Sequence, residues 1–125
     1  MNLSQHLTCE TTRDEQGVVV LHLVGKADTI AAPKMRTLLK QLLAERVYLV
    51  VVDLANVTFL NTPFWAAFQR YNLDGSPSSR LVLAGMSPGL KSAFEIVMLG
   101  DASDDEPAIK TYETWNLALA EDPRA

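Results

Sequence analysis

Apolar and polar positions alternate along residues 6–12, which predicts a first strand, and Arg13-Asp14-Glu15-Gln16-Gly17 predicts a polar turn after it. Val18 to Val24 is a β-branched run that predicts a second strand ending at Gly25. The short connection makes the two a hairpin. From Ala32 to Glu45 the spacing changes: Met35, Leu38, Leu39, Leu42 and Leu43 recur every three and four residues, gathering on one face of a helix. Pro33 suits its first turn, where a missing N–H costs nothing. Val47 to Asp53 is continuously apolar up to its final aspartate, which predicts a central strand covered on both faces.

A second helix is expected from Thr62-Pro63 to about Asn72, a loop over Asp74-Gly75-Ser76-Pro77-Ser78, and a short strand over Arg80–Ala84. Ser87 and Pro88 supply the cap and first position of a third helix, with Leu90, Phe94, Val97 and Met98 as its stripe and Gly100 as its end. An acidic loop (101–107), a last strand (108–111) and a final helix (113–121) complete the pattern. Strands alternating with helices require crossovers, so the expectation is an α/β fold: a mixed, mostly parallel five-stranded sheet with about four helices.

The 125 residues suit one domain spanning 1–125, with its core over about 5–121. With 48% hydrophobic residues, the chain has material for a core without metal or disulfides. Cys9 has no partner cysteine and reads as a small buried hydrophobe. A net charge of −4, with the basic residues scattered singly, excludes the clustered cations that nucleic acid demands. The amino-terminal residues lack a signal-peptide pattern, and the longest apolar run is far below the roughly 20 residues of a membrane span. A cytoplasmic protein without membrane insertion is expected. His6 and His22 have no Cys or carboxylate at ligand spacing and read as strand positions, and Asp101, Asp104, Asp105 and Glu106 read as a solvated loop. No phosphate-binding loop or nucleophile–base pair stands out, so neither a cofactor nor an enzymatic activity is expected.

Gly25-Lys26-Ala27-Asp28, Val51 to Leu60, and Leu81 to Pro88 follow one another at a spacing that resembles the STAS domain family, in its anti-sigma-factor-antagonist branch. The first is similar to the family's Gly-Glu-Leu-Asp turn, the second to its central strand and lead-in, the third to its fourth strand and Ser-Pro helix start. The resemblance implies a non-enzymatic module that binds an anti-sigma factor or serine-kinase-like protein. In the family, Asp-Ser-Ser/Thr-Gly follows the lead-in, and its first Ser is phosphorylated by the partner kinase. Asn61 falls on the Asp, Thr62 on the phosphoacceptor, Pro63 on the second hydroxyl residue and Phe64 on the Gly. Only the hydroxyl of Thr62 survives, although some stressosome scaffolds of the family also carry Thr there. The resemblance equally accommodates a scaffold or accessory subunit, stressosome-like or attached to a lipid transporter, with no switch.

Two readings of Thr62 follow from physics. As a helix cap its oxygen accepts an orphan N–H; as a phosphoacceptor it places about −1.5 to −2 charges at a helix N-terminus whose dipole and free N–H groups favour anions. Asn61 removes a like charge from that position. Phe64 also has two readings: an exposed aromatic contact, since it lies about 100° from an inward-facing Trp65, or a residue packed under a neighbouring loop. Asp28 is an interface residue or a turn and capping residue before the first helix. The candidate partner surface is therefore Asp28, Asn61, Thr62, Pro63 and Phe64.

Overall fold

The computed structural model describes residues 1–75, 78–100 and 109–120, without the side chains of 98–100. In chain order the elements are β1 (Leu7–Arg13), β2 (Val18–Ala27), α1 (Ala32–Ala44), β3 (Leu49–Leu60), α2 (Thr62–Gly75), β4 (Arg80–Ala84), α3 (Pro88–Gly100), β5 (Thr111–Tyr112) and α4 (Trp115–Ala120). The predicted acidic loop over 101–107, residues 76 and 77 of the predicted loop, and Ala108 lie outside the described residues.

The strands form one sheet in the order β1-β2-β3-β4-β5. Only β1–β2 is antiparallel; the other three pairings are parallel, each spanned by a helical crossover. This is the expected α/β architecture.

Alternation along the strands divides the core into two layers. Val19, Leu21 and Leu23 of β2 and Val50, Val52 and Leu54 of β3 face the layer that also holds Met35, Leu39, Leu42, Phe64, Trp65, Phe68 and Leu90 from α1, α2 and α3. The opposite face carries Val18, Val20, Leu49, Val51 and Val82 and is covered by Ala118, Trp115 and Leu119 of α4. The central strand is thus buried on both sides, as its continuous apolar run requires.

Both central strands run further than their apolar runs predict. Gly25 does not end β2: it takes φ +117°, and a Cβ there would lie 2.0 Å from the His6 carbonyl oxygen. The strand continues past a register shift between Gly25 and Lys26 to Ala27. β3 continues to Leu60, beyond its pairing with β4, because the extended β2 gives it a partner.

The helix ends are built locally. Ser87 Oγ accepts from Leu90 N–H at 3.2 Å, capping α3 as its spacing predicts. α1 ends with Arg46 at φ 58°, its N–H on the Leu43 carbonyl and that of Val47 on the Leu42 carbonyl, the paired bonds of a Schellman ending. Asn72 of α2 reaches the edge of β4 that faces β5, donating to the Leu81 carbonyl (3.0 Å) and accepting its N–H (2.7 Å). Tyr71 and Ser79 share a hydrogen bond of 2.5 Å beside it. The Arg13 guanidinium bonds Glu45 at 2.6 Å, tying β1 to the end of α1 and holding that carboxyl below the usual carboxylate range.

Candidate functional site

Parallel strands deliver their carboxyl ends to one edge of a sheet, and the turns beyond them are free to make a site. Here β2 and β3 end side by side, Ala27 opposite Leu60. The turn that leaves β2 begins at Asp28, and α2 begins two residues after β3 ends.

Asn61 joins the two turns. Its backbone N–H donates to the Ala27 carbonyl at 3.0 Å, and its side-chain amide donates to the Thr29 hydroxyl. Its Oδ1 accepts the Thr62 N–H at 2.8 Å, and its carbonyl accepts the Phe64 N–H at 3.0 Å. The residue at the mouth of α2 is therefore Asn61, one position earlier than the capping reading of Thr62. Thr62 is the first helical residue, exposed, and its hydroxyl has no hydrogen bond among the described residues. Pro63, half-buried, occupies the second helical position rather than the first.

This changes the electrostatics of the helix start. Pro63 has no N–H, and Asn61 already occupies the donors of Thr62 and Phe64, so the first turn offers an added phosphate the helix dipole but few free donors.

Asp28 performs the turn role: its Oδ1 accepts the Ala31 N–H at 3.1 Å, fixing the loop that enters α1. That loop holds out Ile30, 75% exposed, a residue the sequence reading passed over. Its signal was present, since Ile30 is a large apolar residue just ahead of α1 with no place in that helix's stripe.

Phe64 does not belong to this surface. It is fully buried and meets Phe68 edge-on at 6.2 Å, so its reading as an exposed contact is withdrawn. Trp65 is buried as well, against Phe94 of α3 at 5.8 Å. α2 is clasped between α1, β4 and α3, so its apolar stripe is wide enough to take in both rings. The structure thus brings together Asp28, Asn61, Thr62 and Pro63, adds Ile30, and removes Phe64.

A cavity of about 310 Å³ between the amino-terminal segment and α1, lined by Met1, Leu3, Lys34 and Leu38 among others, shares none of these residues. None of the described helices is long and apolar enough to cross a membrane.

The family model for the STAS domain matches residues 11–118. No curated protein matches the chain. Among solved structures, an anti-sigma factor antagonist from Mycobacterium paratuberculosis superposes with a TM-score of 0.75 at 19% identity, over 91% of this chain and 92% of its own. The Bacillus cell fate determinant SpoIIAA in its phosphorylated form gives 0.67 at 16% identity, over 90% and 97%. The unphosphorylated anti-sigma factor antagonist SpoIIAA gives 0.73 at 16%, over 94% and 98%. These likenesses establish the shared fold.

Proposed function

The chain belongs to the STAS domain family, and from that premise we propose that it is a cytoplasmic protein-binding module without catalysis of its own, an anti-sigma-factor antagonist in a partner-switching pathway. Its partner is an anti-sigma factor or a related serine kinase, docked on the surface of Asp28, Asn61, Thr62 and Pro63 with Ile30 as the apolar anchor. The observation that carries this reading is the exposed Thr62 hydroxyl at the start of α2, next to a turn that Asn61 and Asp28 hold in place. Phosphate at Thr62 would bring up to two negative charges onto a surface fitted to a hydroxyl and expel the partner by repulsion and desolvation. The names of the structural neighbours, antagonists of anti-sigma factors and one in a phosphorylated form, support the same class.

The test is incubation with the cognate kinase and ATP, followed by mass spectrometry and partner titration. Phosphate on Thr62, with affinity falling at least about tenfold in the phosphorylated chain or in Thr62→Glu, is the expected result. An unmodified chain that binds its partner with unchanged affinity would overturn the switch.

A second reading, a scaffold or accessory subunit without phosphorylation, is favoured by one observation: Asn61 and Pro63 leave the start of α2 poor in free N–H groups. It predicts the second outcome of the same experiment.

A further inference from the structure

Along one flank of α1, Lys34, Leu38 and Gln41 recur at four and three residues and so stand in one row. The row lies beside the stripe of Met35, Leu39 and Leu42 that enters the core. Met1 and Leu3 of the amino-terminal segment stand across from it, and the two walls enclose the cavity of about 310 Å³. Backbone bonds fix that segment: the Cys9 N–H donates to the Met1 carbonyl at 2.8 Å, and the Leu3 N–H to the Leu7 carbonyl at 2.9 Å. Leu3 is 1% exposed, so its side chain anchors the same wall in the core. The cavity is therefore built into the fold and needs no rearrangement to exist.

Its chemistry is one-sided. Met1, Leu3, Pro33 and Leu38 supply hydrocarbon. Two polar side chains of the lining turn to their own helix: Thr37 Oγ1 donates to the Pro33 carbonyl at 3.1 Å, and the Gln41 amide to Glu45 at 3.5 Å. Lys34 is the one charged side chain of the lining; it is exposed, and it has neither ion pair nor hydrogen bond among the described residues. The first turn of α1 carries no acidic residue, and Asp28, in the loop before it, spends Oδ1 on the Ala31 N–H. An ammonium without a counter-ion at the edge of a hydrocarbon cavity is complementary to a molecule with an apolar chain and one negative head.

We propose that this cavity binds a free medium-chain fatty acid, its chain between Leu3 and Leu38 and its carboxylate on Lys34. At about 30 Å³ for each group the size of a water molecule, the space holds about ten such groups, which is the size of octanoate with its carboxylate. Water between apolar walls finds few partners, so a hydrocarbon chain displaces it with a gain in free energy. Met1, exposed at the rim, brings an unbranched, adaptable side chain that can settle over the bound chain. The site shares no residue with the Thr62 surface and does not rest on the reading given to that surface.

Octanoate titrated into the whole chain, followed by amide NMR signals and by calorimetry, tests the assignment. One saturable site with a dissociation constant below about 1 mM is expected, with the largest shifts at Leu3, Lys34 and Leu38. Butanoate should bind at least about tenfold more weakly, because its chain buries less. Lys34→Gln should weaken octanoate by about fivefold and leave the affinity for 1-octanol unchanged. Leu38→Trp, which fills the cavity, should remove binding; should it fail to fold, Thr37→Trp, at an exposed position of the same wall, takes its place. No saturation by about 10 mM octanoate, or shifts centred elsewhere, would overturn the site. Unchanged octanoate affinity in Lys34→Gln, an equal loss for 1-octanol, or undiminished binding in the tryptophan variant would overturn it as well. So would capture of the chain on phosphatidylglycerol vesicles without binding of free octanoate, which would make this face a membrane contact. None of these outcomes turns on phosphorylation of Thr62.

Discussion

Phe64 and Trp65 stand about 100° apart around α2, and both are closed off from solvent. Removing the ring of Phe64 leaves a cavity against Phe68, so Phe64→Ala should cost about 3–5 kcal/mol, seen as a lower urea midpoint with an unchanged slope. A midpoint equal to wild type would show that the ring contributes no packing. Periodicity identifies the inward direction of a helix but not how far its neighbours wrap around it, and that is why residue 64 read equally well as exposed. The Asn61–Thr62 pair was legible to within one residue: both types cap helices well, and a following proline suits either position. No spacing along the chain reveals that Asn61 bonds a hydroxyl 32 residues away.

At the scale of elements, the end of α1 is the place where local preference and structure conflict. Arg46 adopts a left-handed conformation that costs a side-chain-bearing residue about 1 kcal/mol and glycine almost nothing. Arg46→Gly should therefore raise the melting temperature by a few degrees, measured by calorimetry, with the Schellman bonds kept. A lowered melting temperature would mean that the arginine side chain supplies more than its backbone costs. Helix starts were read well because their chemistry is local, as Ser87 shows. The lengths of β2 and β3 were not, because each continues only as far as the other offers pairing, past a glycine that in isolation marks a stop.

For the whole molecule, two groups dispersed through the core tie stability to alkaline pH. Burial raises the Cys9 thiol above its ordinary range, as it raises the Tyr71 phenol, against the opposing hydrogen bond to Ser79. Both hold their protons more tightly folded than unfolded, so their contribution is complete below about pH 8.5 and is lost as pH climbs through the raised values. Urea midpoints should fall between roughly pH 9 and 11, and the Cys9→Ala, Tyr71→Phe double variant should fall less steeply. Equal slopes would place the alkaline loss elsewhere. The α/β layering at this scale was legible because alternating strand and helix patterns admit few topologies. The hydrogen bond between His22 Nδ1 and Asp53 Oδ2, 2.8 Å long, was not, since it depends on the register between two strands.

Strand order in the sheet repeats strand order in the chain. Every strand after the first is laid down beside the one made just before it, and none is threaded between two already in place. Closing each pairing thus spans a short stretch of polypeptide, which lowers its entropic cost and favours rapid folding. A chain leaving the ribosome meets each strand's neighbour already synthesised, so assembly can proceed in the order of translation, without waiting for the carboxyl end.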